Sequence, residues 1–366
     1  MKKNLLFLIA FLLCLTGVGQ KVQGQEHFGP KTISHWYLPY MSEVQADGLN
    51  GYDIIILHNE LIYKKSTMLD YLLKQNPKVK LFTYINPVEL FVPQFSDSPW
   101  STKIYQELNQ GNKTSWWLKQ PNGNPIIFWV AANGYKTNML NMSSDCPPVN
   151  GEIYADYIAR RACEDVLSDP RISGALLDNV WGYAYWLSRF GNNKGIDFNQ
   201  DGIADTDSVK INLGWRMGTL RFIKKIRELK GPNFILVSNP GESSYTYFTN
   251  GKQLEDFPFQ HLGDTLNGAW NVNMINAIKA GEYSILNAKT ENWFFALCSA
   301  MLLDKVYFSV GQNMPFRKEY KIALGRPIDP ALSIKEIEIN KPIYRRRYEN
   351  GTVFVEPKTG KSWIIE

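Results

Sequence analysis

The chain has 366 residues, with 40 basic against 35 acidic side chains and a formal charge of +5, enough for one large domain or a domain with a small appendage. Aromatics make up 13% of it, and its cations are scattered apart from Arg345, Arg346 and Arg347. With no low-complexity tract and no self-similar period, this excludes a repeat solenoid and a nucleic-acid footprint.

Residues 1–24 read as a secretory signal peptide. Lys2 and Lys3 precede the apolar run Leu5–Leu15, and Gly19 or Gly24 offers a cleavage position. The run is too short to span a bilayer, and nothing after Gln25 reads as a membrane span. Cys14 follows Leu13 rather than the small residue expected before a lipidated cysteine. The expected mature protein is therefore exported and soluble, whether periplasmic, extracellular or at the cell surface. Three cysteines remain after processing: Cys146 and Cys163 either pair or stay as buried thiols, and Cys298 falls in a helical stretch.

Residues 25–340 read as an α/β fold, a (β/α)8 TIM barrel. Apolar, β-branched or aromatic runs recur at Ile33–Leu38, Asp53–His58, Val79–Ile85, Gly174–Asp178, Phe234–Ser238, Leu254–Phe257, Tyr283–Leu286 and Val306–Val310. Helical spacing of apolar residues is clearest at Met68–Gln75, Ile153–Leu167, Val209–Lys230, Ala269–Ala280 and Trp293–Leu303. Buried strands alternating with helices imply a parallel sheet, and eight strands suggest closure, with a doubly wound open sheet as the alternative. Long loops are expected after the third and fourth strands, from Asn86 to about Gly151 and from Asn179 to about Val209. Residues 341–366 hold two alternating runs, Thr352–Glu356 and Ser362–Ile365, which read as a β-hairpin packed on the barrel.

Side chains at the C-terminal ends of barrel strands converge on one mouth. Amides and carboxylates dominate there, without a serine, cysteine or histidine triad, and suit a hydroxyl-rich ligand. Glycosidic cleavage uses one carboxyl group to protonate the leaving oxygen and another to attack the sugar or activate water. Asp178 and Glu255 are the best such pair, with Asp178 as nucleophile or base and Glu255 as general acid. His58, Asn86, Asn239, Asp256, Asn287 and Lys289 are the expected substrate-binding side chains. Trp116 and Trp181 join them as faces on which a sugar ring can stack, although packing in the core is the commoner fate of any one tryptophan.

The stretch Asp197–Asp207 spaces oxygen ligands at alternate positions around Gly202, a pattern that wraps calcium. Asp197, Asn199, Asp201, Asp205, the carbonyl of Ile203 and Asp207 are the expected ligands of a structural ion. Ser208 stands where a bidentate glutamate belongs, and a solvated acidic turn is the alternative reading.

Several motifs carry a family resemblance: Trp116-Trp117-Leu118 with Gly123, Asn138-Met139-Leu140-Asn141, Gly174–Asn179, Asp197–Asp207, Trp215-Arg216, Ser238-Asn239 and Leu254–Phe257. In order and spacing they resemble the glycoside-hydrolase-like barrel family numbered fifteen among the hypothetical glycosyl hydrolases. More remotely, the chain is similar to the α-galactosidase and α-glucosidase clans. That resemblance implies an acidic nucleophile ending the fourth strand, matched by motif at Asp178, and an acid/base carboxylate on the sixth, matched at Glu255 by strand count alone. The resulting expectation is a secreted glycoside hydrolase acting on an oligo- or polysaccharide without an organic cofactor. A catalytically silent glycan-binding barrel and an exported metal-dependent hydrolase are the alternatives, and the oligomeric state stays open.

Overall fold

In a computed structural model the described residues are 29–92, 98–130, 136–189, 195–240, 245–258, 265–331, 333–340 and 342–366; the expected signal peptide and Cys14 lie outside them. Eight short strands pair in parallel and close on themselves: β1 (Lys31–Trp36), β2 (Ile54–His58), β3 (Lys80–Ile85), β4 (Ile172–Leu177), β5 (Ile235–Ser238), β6 (Gly251–Phe257), β7 (Ser284–Ala288) and β8 (Val306–Val310). Each pairs with its neighbours in sequence, and β1 meets β8 through Lys31↔Tyr307, Thr32↔Phe308 and Ile33↔Ser309. The closed (β/α)8 barrel is thus present and the open-sheet alternative is excluded.

Side chains two apart along a strand share a face, and that alternation builds the interior in layers. Ile33, Ile54, Ile56, Phe82, Leu176, Ile235, Val237 and Ile285 form a closed apolar cluster inside the barrel. Fully burying a side chain of this kind is worth about 1.5–3 kcal/mol. One alternation further toward the C-terminal ends, the same inward rows become polar: His35, His58, Tyr84, Asp178, Asn239, Asn287 and Ser309. A second, larger core separates the strands from the surrounding helices.

Two helix placements bear on the mouth. The long helix Ser208–Lys230 starts at Asp207, whose side chain accepts the N–H groups of Val209 and Lys210, and ends at Gly231. Its Gly214 and Gly218 lie against the segment Met142–Asp145, where a Cβ on Gly218 would sit 1.7 Å from the Met142 carbonyl oxygen. The helix Pro99–Leu108 lacks a side-chain cap of its own. Buried Glu60 supplies one from outside, accepting the N–H groups of Trp100 and Ser101, each at 2.9 Å.

The connection after β3 contains a three-stranded antiparallel sheet, Glu89–Val92, Lys136–Met139 and Ile127–Val130 in spatial order. It is tied to the connection after β4: Asn141 Nδ2 donates to the Phe198 carbonyl at 2.6 Å, and the Asp197 N–H to that of Lys119 at 3.0 Å. The two C-terminal runs do form adjacent antiparallel strands, but within a four-stranded sheet, Glu338–Asn340, Ile343–Tyr348, Gly351–Glu356 and Lys361–Ile365. The hairpin expected from sequence is half of this sheet, because Ile343–Tyr348, rich in arginine, hides its strand alternation. One face lies on the barrel helices. Tyr344 packs on Trp270 with ring centroids 4.5 Å apart, and Arg346 and Tyr348 bond the Met301 carbonyl at the end of the helix Trp293–Met301. Cys146, Cys163 and Cys298 are buried free thiols, so the Cys146–Cys163 bridge does not form. No helix among the described residues is long and apolar enough to cross a membrane.

Candidate active site

Asp178 follows the last residue of β4, its N–H bonded to the Ile85 carbonyl at 2.8 Å. Three groups from three other strands converge on its carboxylate or just above it. Tyr84 of β3 donates its phenol O–H to Oδ2 at 2.5 Å, and Asn239, directly after β5, donates Nδ2–H to Oδ1 at 2.7 Å. The same Asn239 Nδ2 lies 3.3 Å from Oε2 of Glu255 on β6. Bonds of 2.7 and 3.3 Å to one nitrogen place a ceiling of about 6 Å on the separation of those two carboxylate oxygens. The two carboxylates singled out from sequence therefore face one another across a single amide.

Glu255 reaches this position through a bulge. In the β6–β7 ladder Leu254 pairs with Leu286 and Phe257 with Ala288, so Glu255 and Asp256 together oppose the single residue Asn287. Asp256 takes a left-handed backbone, φ 53°, which a short polar side chain tolerates better than most. The extra residue keeps Phe257 in the outer core while leaving two consecutive acidic residues at the mouth. Asp256 meets Lys289 at 3.6 Å on the rim, both half-exposed, and such a pair contributes little stability. Asn179, next to Asp178, is also left-handed, φ 56°.

Burial and the neighbouring Glu255 charge push the Asp178 carboxyl up to about 6, against the hydrogen bonds from Tyr84, Asn179 and Asn239 that favour its ionised form. The phenols of Tyr37 and Tyr84 are raised well above their ordinary value by desolvation first, then by the Asp178 carboxylate, and remain protonated donors. Glu255 is exposed to the mouth.

Below the carboxylates a hydrogen-bonded row crosses the barrel. Gln253 Oε1 lies 2.7 Å from His35 Nε2, His35 Nδ1 lies 2.8 Å from Ser309 Oγ, and Asn287 Nδ2 donates to Ser309 Oγ at 3.1 Å. Desolvation lowers His35 to about 4, so its ring is neutral. Asn287 thus belongs to this supporting row as well as to the mouth. Asn86 donates to Glu89 at 2.7 Å, as does Asn179 at 3.1 Å. Glu89 is a third carboxylate beside the pair.

Of the other residues expected from sequence, His58 stands at the end of β2 with Nδ1 accepting the Glu60 N–H at 3.2 Å. Trp181 is half-buried in an aromatic cluster with Phe128 and Trp186, centroids 5.6 and 5.0 Å away. Trp116 is corrected: it is 1% exposed, packs on Tyr157 and donates its indole N–H to the Pro147 carbonyl, so no sugar can stack on it. Sequence reasoning missed Tyr37, Tyr84, His35, Gln253, Ser309 and Glu89. All but Glu89 lie on inward rows, two residues from a strand's last polar residue or on the strand just below it, and that spacing was the available signal.

The calcium reading meets a different arrangement. Asp197 accepts the N–H groups of Asp201 and Gly202, Asp201 that of Ile203, and Asp205 that of Phe198. Asp207 accepts the N–H groups of Val209 and Lys210 through Oδ1 as the cap of the following helix. Among the described residues no group of three or more acidic, histidine or cysteine side chains is placed to hold a metal.

Comparison with known proteins adds a family. Residues 74–352 match the profile of a family described as hypothetical glycosyl hydrolase family 15. No curated protein matches the chain. Among solved structures, the chain is similar to a cycloalternan-degrading enzyme from Trueperella pyogenes, at 10% identity and TM-score 0.44, covering 78% of this chain and 42% of that one. It is similar to an α-galactosidase from Thermus thermophilus, at 10% identity and TM-score 0.49, covering 91% and 67%. A third is a dextranase from Flavobacterium johnsoniae, at 11% identity and TM-score 0.43, covering 81% and 38%. The chain spans under half the length of the first and third of these and about two thirds of the second.

Proposed function

Because this chain belongs to hypothetical glycosyl hydrolase family 15, and because one amide nitrogen touches two facing carboxylates in its barrel mouth, we propose that it is an exported glycoside hydrolase that cleaves an oligo- or polysaccharide with retention of configuration. The amide bridge carries the reading. Retaining enzymes hold their carboxyl groups about 5–5.5 Å apart, whereas inverting ones leave about 6.5–9.5 Å for a water. A ceiling of about 6 Å on the closest oxygens favours the first.

In the proposed mechanism Asp178 attacks the anomeric carbon. Tyr84 and Asn239 each donate to one of its two carboxylate oxygens, which suits an anion. As the glycosidic bond breaks, Glu255 gives its proton to the departing oxygen, leaving a glycosyl ester on Asp178. Glu255, now a carboxylate, takes a proton from water; the oxygen of that water bonds to the anomeric carbon and the ester bond breaks, restoring both groups. His58, Asn86, Asp256 and Lys289 around the mouth offer hydrogen bonds to sugar hydroxyls, and the Trp181 cluster offers an apolar face. Asp178→Asn and Glu255→Gln keep shape and remove the chemistry, so each is expected to lower turnover by about a hundredfold or more. Reducing-end release from a polysaccharide panel measures this, and the anomer first released, read by NMR, tests retention. Near-normal turnover in both variants sinks the proposal.

Calcium in the Asp197–Asp207 loop is a separate proposal supported by ligand spacing alone.

A further inference from the structure

Where the terminal sheet meets the barrel rim there is a cavity of about 460 Å³, within the range of small-ligand sites. Glu291, Asn292 and Phe294 line it from the segment after β7, and Lys361 and Trp363 from the last strand of the sheet. Trp363 stands on an edge strand, opposite Phe354 in register. The two rings stack with centroids 5.0 Å apart and planes 7° from parallel. Phe354 therefore packs on one indole face and fixes its tilt, and Trp363 is itself among the residues that line the cavity.

The polar lining complements that face. Asn292 occupies the N-cap position of the helix Trp293–Met301, but its side chain makes no capping bond. Glu291 and Lys361 are exposed and add an acceptor and donors. A flat apolar face ringed by donors and acceptors matches a pyranose, which has a C–H face and a hydroxyl rim. The cavity also has a position relative to the mouth: Glu291 follows Lys289 by two residues, and Lys289 pairs with Asp256, the neighbour of Glu255.

We infer that this cavity is an accessory binding site for a hexopyranose unit of a polysaccharide whose scissile bond lies in the mouth. The inference rests on the glycoside hydrolase reading and deepens it. Native electrophoresis through gels containing dextran, starch, galactomannan or xylan tests it, alongside turnover of aryl glycosides, which fill only the mouth. Wild type and Asp178→Asn are expected to be retarded alike by at least one of the four. Trp363→Ala is expected to weaken that retardation at least about tenfold, a loss of about 1.4 kcal/mol, with aryl glycoside turnover unchanged, and Trp363→Tyr to retain most of it. If Trp363→Ala does not fold, as judged by circular dichroism, the exposed pair Glu291→Ala with Lys361→Ala decides in its place. Wild-type retardation in the deciding variant, or no retardation of the wild type in any gel, overturns the site. Trp363-dependent retardation alongside undiminished turnover in Asp178→Asn and Glu255→Gln instead keeps the site and overturns the catalytic reading.

Discussion

Asp178 and His35 respond to pH in opposite senses. The folded Asp178 carboxyl titrates at about 6, above the unfolded value of about 3.9. Folding therefore favours its proton, and the stability it contributes is complete below about pH 4 and lost as pH rises through about 6. The Asp178→Asn variant should accordingly gain melting temperature relative to wild type between pH 4 and pH 7, measured by parallel thermal scans. The proposed mechanism needs the ionised form, so the acid limb of turnover should fall near pH 6. His35 titrates at about 4 when folded, below an unfolded value of about 6.5; as pH falls between these limits the unfolded chain binds the proton and stability drops. A pH–rate profile whose acid limb lies well below 6 contradicts the placement of Asp178. The two carboxylates could be singled out because each stands near the end of an expected strand, Asp178 after Gly-Ala-Leu-Leu and Glu255 after Gln-Leu. The Asn239 bridge and Glu89 could not, since they depend on which strand ends become neighbours, and the burial of Trp116 depends on packing within an insertion.

At the scale of elements, two close fits carry measurable cost. Gly218 leaves no room for a Cβ against the Met142 carbonyl, and a backbone contact of that kind yields only by moving the helix. Gly218→Ala should lower stability by about 1–3 kcal/mol, read from urea denaturation with an unchanged m-value. Glu60→Ala strands the N–H groups of Trp100 and Ser101 in a buried site and should cost about 2 kcal/mol in the same assay. If the acidic loop binds calcium, adding the ion should raise the melting temperature and a chelator should reverse it; no change under either treatment removes the proposal. Most of the barrel strands could be read from sequence because parallel strands are buried on both faces and appear as largely apolar runs; β6, with Lys252, Gln253, Glu255 and Asp256, is the exception. The inserted sheet has four-residue strands that give no such signal. The β6 bulge is invisible for another reason: it is a mismatch between two ladders rather than a property of either segment.

For the whole molecule, the two long connections are tied to one another after β3 and β4, at the mouth, whereas the terminal sheet lies along the outer helices. Removal of residues 338–366 uncovers the helix face beneath Tyr344, Arg346 and Tyr348, and the shortened chain should be recovered in the insoluble fraction.

The closure of the barrel also sets an order on synthesis. His35 bonds Ser309, 274 residues later in the chain, and β1 pairs with β8 along three registered positions. While the chain emerges from the ribosome, β1 has an unpaired edge until residue 310 is free, and the supporting row under the carboxylates lacks one of its members until then. Until that late pairing is possible the barrel cannot close, and β1 is expected to stay open to proteases. Stalled nascent chains ending before β8 should be cut in their β1–β2 region at rates close to those of the unfolded protein, and protection should appear only when the last barrel strand has cleared the exit tunnel.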